Sequence, residues 1–178
     1  MGYRQELREL AHDTHGVITL HDAASVGVPA VEVRKLASRG ALTRLGQGVY
    51  RMEEAPADQL TEFATAVALV GGDAVLADES VLAAHDLAPV NVRRIRVATG
   101  DRVRRRLPST IEVVRRAVPA DQRTELDGVP AMTLAAAIRV SRGRVMTSRL
   151  VEAARRADAR GLIDHRDAEA IRRELEQE

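Results

Sequence analysis

The chain has 178 residues, is 45% hydrophobic and carries a formal net charge of +1. It has no cysteine, which excludes disulfides and thiolate metal sites. No apolar run is long enough to span a membrane, and the charged stretch Met1 to Leu10 lacks the apolar segment of a signal peptide, so the expectation is a soluble, cytoplasmic protein with no membrane partner.

The length allows one domain or two small ones. Aromatic residues are rare, only Tyr3, Tyr50 and Phe63, so a core of Ala, Val and Leu is expected. In chain order, Gln5 to Thr14 reads as a helix, with Leu7, Leu10 and Ala11 on one stripe and Gly16 at its end. Val17-Ile18 is a short extended piece, and Thr19 is a good N-cap for a second helix, Leu20 to Ser25. Gly27 suits a sharp turn, and Pro29 fits the first turn of a third helix that ends at Arg39 before Gly40. Val33, Leu36 and Ala37 should face inward there. Leu42 to Leu45 and Val49 to Arg51 then flank Gly46-Gln47-Gly48 and read as a tight hairpin, with both glycines needed for the turn and Tyr50 anchoring the return strand.

Helix, short helix, glycine turn, helix and hairpin form the order of a winged helix-turn-helix, the hairpin being the wing. "EEAPAD" at 53–58 is a linker candidate, and Asp58 is placed to cap a helix running to Val70. Leu60, Phe63, Ala64 and Val67 share one face of it. A short strand and a helix from Glu79 to Asp86 follow, then strands at Val92 to Thr99 and Ile111 to Val118. Arg123 to Met132 reads as a hairpin turning at Asp127-Gly128. The C-terminus reads as three helices: one capped by Thr133, one from Val145 to Arg160, and one beginning at Asp164 with Ala168, Ile171 and Leu175 on its apolar face. The fold class is α+β, a winged helix-turn-helix at 1–54 followed by an α+β domain at 55–178 ending in three helices.

Charge is distributed in blocks. Residues 53–89 hold eight acidic and no basic side chains, whereas 90–119 hold nine basic and two acidic ones. The blocks either serve as separate charged faces or pair with each other inside one domain. On the third helix, Arg34, Lys35, Ser38 and Arg39 fall on the face opposite Val33, a strip suited to base edges and phosphates. On the wing, Arg44 and Gln47 can enter a neighbouring groove. The densest basic cluster is Arg102, Arg104, Arg105 and Arg106. It suits DNA phosphates, an acidic partner, or pairing with acids such as Asp73, Asp78 and Glu79.

His12, His15, His21 and Asp22 lack a fourth ligand at metal-binding spacing. Ser80, His85 and Asp86 sit too close along one helix to converge as a triad, and no phosphate-binding glycine loop is present. No catalytic residue, metal or cofactor is expected.

The stretches "GVITLHDAASVGVPAVEVRKLASRGALTRLGQGVYRM", "LADESVLAAHDL" and "ELDGVPAMTLAAAIRV" resemble the AbiEi-type antitoxins of bacterial type IV toxin–antitoxin systems. The similarity rests on Gly16, Thr19, Gly27, Leu36, Gly40, Leu42 and Gly48-Val49-Tyr50, then on "DGVP" followed by Thr133. The resemblance implies a non-enzymatic repressor that binds double-stranded DNA at its own promoter, with a C-terminal part that counters a cognate nucleotidyltransferase-like toxin. The start of the third helix, Pro29-Ala30-Val31-Glu32, is poorer in polar groups than a base-reading surface usually is, so shape readout or wing contacts would supplement it. The alternatives are a stand-alone repressor whose second domain dimerises or senses a ligand, and a protein-interaction module.

Overall fold

The computed structural model describes residues 2–87 and 93–177, and its strands form two separate sheets. Helix α1, Tyr3–Asp13, buries Leu7 and Ala11. It begins two residues before the predicted start, and His15 and Gly16 turn the chain away with φ of 55° and 80°. Strand β1, Val17–Thr19, leads into α2, Leu20–Ser25. Thr19 closes a capping box: its Oγ1 accepts from the Asp22 N–H at 3.0 Å, and the Asp22 carboxylate accepts from the Thr19 N–H at 3.0 Å. Gly27, with φ 78°, makes the tight turn to α3, Ala30–Ser38. Pro29 stands at the N-cap of α3 rather than in its first turn. Val33 is fully buried, but Leu36 and Ala37 are half-buried because they flank the seam that Val33 drives into the core.

The wing is β2, Leu42–Gly46, and β3, Val49–Met52, and the sheet order is β1-β3-β2, antiparallel throughout. Tyr50 is on the central strand, paired with Ile18 on one side and Arg44 on the other. Its ring joins Leu7, Ile18, Val28, Val33 and Met52 in one apolar cluster, which explains an aromatic residue directly after the turn.

Helix α4, Thr61–Val70, starts three residues after Asp58. Asp58 is therefore not its N-cap; its Oδ1 accepts from the Leu60 N–H at 2.8 Å and organises the turn ahead of the helix. The second sheet has the order β6-β5-β4-β8-β7. Its strands are β4 (Val75–Leu76), β5 (Ile95–Thr99), β6 (Ile111–Arg115), β7 (Arg123–Leu126) and β8 (Val129–Met132), with α5, Glu79–Ala84, between β4 and β5. The predicted start of β5 at Val92 lies outside the described residues, and β6 leaves the sheet three residues before the predicted Val118. β5 and β6 run parallel, so residues 100–110 must return along the strand length as a crossover. Asp127-Gly128, both at positive φ, makes the β7–β8 turn as predicted. Helices α6 (Leu134–Val140), α7 (Thr147–Ala159) and α8 (His165–Glu176) complete the chain, α8 burying Ala168, Ile171 and Leu175. α7 begins two residues after the predicted Val145 because Met146 is its extended N-cap. No described helix is long and apolar enough to cross a membrane.

One charged group is buried beside this second sheet. Asp78, ahead of α5, is 0% exposed and has φ of 54°. Its carboxylate accepts from Arg96 Nε at 3.0 Å, Arg116 at 2.5 Å and Arg144 at 2.8 Å, drawing β5, the end of β6 and the α6–α7 loop together. Glu79 reinforces it by pairing with Arg144 at 3.0 Å. A buried carboxylate is tolerated only when its acceptor sites are filled in this way. Asp78→Asn should destabilise the fold by about 2–3 kcal/mol, below the cost of a sealed ion pair because Arg116 and Arg144 reach solvent. Urea unfolding with an unchanged m-value would measure it; a midpoint equal to wild type would show that the arginines hold these elements without Asp78.

Candidate nucleic-acid interface

The outward face of α3 carries Arg34, Lys35, Ser38 and Arg39, all exposed. Among the described residues no ion pair engages Arg34 or Arg39. Lys35 is held by Glu32 at 2.7 Å, and the Ser38 hydroxyl donates to the Lys35 carbonyl at 2.8 Å, so both are partly committed to their own helix. On the wing, Arg44 and Gln47 are exposed, and Arg44 Nε donates to the Gly46 carbonyl at 3.2 Å, bending the side chain toward the tip.

Only one of the two wing glycines serves the turn. Gly48 has φ of 70°, whereas Gly46 is not at positive φ. A methyl on Gly46 would collide with the Leu69 side chain of α4. Gly46 is thus small so that the wing can lie on α4, where Leu69 also packs with Val17 and Val49. A second glycine beyond what the turn needs was the signal for this contact in the sequence.

The crossover 100–110 brings the basic loop to the same side. Arg105 donates to the Leu69 carbonyl at 3.4 Å and lies beside Gly71. A cleft of about 660 Å³ is lined by Arg34, Arg44, Gln47 and Arg105 together with Leu20 and Tyr50. The structure thus joins one residue of the α3 strip, two of the wing and one of the loop. Lys35, Ser38, Arg39, Arg102, Arg104 and Arg106 do not line this cleft but are exposed. Internal pairing of the loop with Asp73, Asp78 or Glu79 is not what the fold contains. Asp73 accepts from Thr99 and from the Gly100 N–H, while Asp78 and Glu79 are taken by Arg96, Arg116 and Arg144.

The placement of the wing unit against the second sheet also rests on His15, whose side chain is 12% exposed. Its Nδ1 lies 2.7 Å from the Asp58 carboxylate and its Nε2 lies 2.7 Å from the Asp127 carbonyl oxygen. A carbonyl can only accept, so Nε2 carries a proton; the imidazolium satisfies both partners and the neutral ring only one of them with its single N–H. Burial pulls the His15 pKa down, but the bonds to Asp58 and Asp127 outweigh it and hold the pKa above the ordinary histidine value. Asp58 is desolvated too, and the bonds from His15 and Leu60 lower its pKa below the usual carboxylate range.

Neither His12 nor His21 shares these bonds, and Asp22 is engaged in the capping box. Among the described residues no three metal-ligating side chains converge. The Ser80 hydroxyl is buried and accepts the Arg96 N–H at 2.8 Å. Burial, then the charge of Arg160, holds the His85 pKa below the ordinary histidine value. The His15 latch and the Gly46–Leu69 contact were not expected from the sequence, whereas the pairing of the acidic and basic blocks is realised by Asp78 with Arg96 and Arg116 and not by the 102–106 loop.

The histidine latch sets a pH dependence. A folded pKa above the unfolded one gives stability that is complete below about pH 6.5 and is lost as pH rises through the folded value. The Asp58 contribution has the opposite sign, present above about pH 4 and lost on acidification. Wild type should therefore exceed His15→Gln in thermal stability most at about pH 5.5, with the gap narrowing toward pH 8. Parallel melting curves for the two proteins over this range would contradict a titrating latch.

Residues 5–52 match the family described as a transcriptional regulator, AbiEi antitoxin. The match runs from Gln5, within α1, to Met52, the last residue of β3. This stretch is accordingly similar to an AbiEi-type transcriptional regulator. No curated protein matches the chain.

Proposed function

We propose that this chain, whose residues 5–52 are similar to an AbiEi-type regulator, is an antitoxin that represses its own operon and neutralises a cognate nucleotidyltransferase-like toxin. Residues 1–54 act as the DNA-binding domain and 55–178 as the antitoxin domain. The observation that carries the DNA reading is the cleft where Arg34, Arg44, Gln47 and Arg105 come together on a matched regulator domain. In this reading α3 enters the major groove, Arg34 and Lys35 meet base edges or phosphates, and Ser38 and Arg39 meet the backbone. Arg44 and Gln47 follow the adjacent groove, and the loop Arg102 to Arg106 extends the phosphate contacts. A repressor whose second domain senses a ligand is a second reading. It is favoured by an interdomain cavity of about 680 Å³ lined by apolar residues such as Val17, Val49 and Val67 beside the wing tip.

The DNA reading is tested by gel-shift titration on the promoter at several salt concentrations. Arg34→Ala with Lys35→Ala should weaken binding by about 1–3 kcal/mol for each base edge that is no longer hydrogen-bonded. Replacing Arg104, Arg105 and Arg106 by Ala should flatten the slope of log K against log salt by up to about 2.7. Unchanged affinity in the double variant would remove α3 from the interface; an unchanged slope in the triple variant would remove the loop.

The toxin reading is tested by expressing the neighbouring toxin from an unrelated promoter. The Arg34→Ala, Lys35→Ala chain should still rescue growth, because neutralisation by the second domain does not pass through DNA. Rescue by wild type alone would place Arg34 and Lys35 in the neutralising contact, and rescue by neither chain would leave repression as the whole function.

A further inference from the structure

The outward positions 31, 34, 35 and 38 of α3 recur at helical spacing and form one exposed strip. Three of them are polar and the fourth is Val31, 51% exposed. Among the described residues Tyr3, Val31, Met146 and Leu162 are the large apolar side chains left exposed, and Val31 is the one on the basic strip. A single exposed valine is ordinarily uninformative. Its position changes that. Val31 is in the first turn of the second helix of a helix-turn-helix, the turn that meets base edges in such motifs. Helix propensity does not ask for valine there, since Ala, Glu or Lys would serve better. Packing does not ask for it either, because the inward side is filled by Val33.

The neighbours leave Val31 as the element that projects. Pro29 and Ala30 carry no side-chain donor or acceptor, and Glu32 folds back onto Lys35 at 2.7 Å. The first turn therefore offers an apolar surface, with the cation Arg34 one turn behind it. β-branching restricts the Val31 side chain about χ1, so both methyls are presented with little entropy left to lose. Of the base edges in the major groove of unmodified DNA, thymine alone presents a methyl group, at C5.

We propose that Val31 is a specificity-determining residue that reads a thymine C5-methyl in the major groove, next to the contact made by Arg34. This rests on the DNA-binding reading of α3. It accounts for the scarcity of polar groups at the start of this helix: that turn reads by apolar contact. Removing one methyl from such a contact is worth about 0.8 kcal/mol, or about fourfold in affinity.

The test starts with the full chain selecting duplexes from a random library. In the selected duplex each thymine is replaced singly by deoxyuridine, which deletes only the methyl. Wild type should bind about fourfold more weakly when the replaced thymine lies within the α3 footprint. Val31→Ala should bind the thymine and deoxyuridine duplexes equally at that position, keep its response to base changes at the other positions, and melt with wild type. Indifference of wild type to every deoxyuridine replacement would overturn the proposal, as would a Val31→Ala protein that still discriminates. If Val31→Ala instead changes self-association in sedimentation and leaves the methyl dependence intact, Val31 belongs to a contact between copies and the proposal fails. If the library yields no retained duplex, the DNA-binding reading itself fails, a result distinct from all of these.

Discussion

Helix α4 is gripped on two sides, and the placement of the basic surface depends on that grip. Toward the N-terminal sheet, Leu69 reaches the wing through the space left by Gly46 and packs with Val17 and Val49. Toward the second sheet, Ala66, Val67 and Val70 join the larger core with Leu76, Val97 and Ala131. The flank of the wing is thus fastened to a helix that also packs on the second sheet. Arg44 and Gln47 therefore keep a fixed relation to Arg105, which reaches the carbonyl of the same Leu69. Groups held in place before a ligand arrives give up less freedom on binding.

The charge blocks divide their work residue by residue. Arg96 and Arg116, from the basic block, are spent internally on Asp78. The arginines at 102, 104 and 106 belong to the same block and make no ion pair among the described residues. The two sequence readings, internal pairing and a separate charged face, thus hold for different members of one run. Strand geometry decides which. Residues on β5 and at the end of β6 flank Asp78, whereas the crossover between these parallel strands is carried off the sheet.

Features that depend on neighbours in the chain were legible in the sequence. The N-cap at Thr19, the turn at Gly27 and the hairpin at Asp127-Gly128 each involve residues a few places apart, and all three form as read. Tyr50 was legible as an anchor because an aromatic residue after a tight turn has few other uses. What was hidden depends on separation. His15 meets Asp58 across 43 positions and Asp127 across 112, and no local pattern encodes either meeting. The predicted face of α4 was partly right: Val67 is buried, but Ala66, Leu69 and Val70 are buried too. A helix used on two sides carries apolar residues around most of its circumference, so periodicity alone cannot choose a face. At the candidate site the strip on α3 was read from spacing, while the joining of Arg34 with Arg105 needed the crossover to be known as parallel.

The pairing of β4 with β8 has a consequence for the order of assembly. The N-terminal sheet closes between Val17 and Arg51, so the module with α3 and the wing is complete once that short segment exists. The central pair of the second sheet, Leu76 with Ala131, cannot form until α5, β5 and β6 and the hairpin that ends in β8 have all been made. Closing so long a loop is entropically slow, and chains fold from the N-terminus as they are synthesised. A nascent chain thus owns its groove-reading half well before the half that supplies Arg105. Of the walls of the basic cleft, the one that carries Arg105 is thus the later to be built.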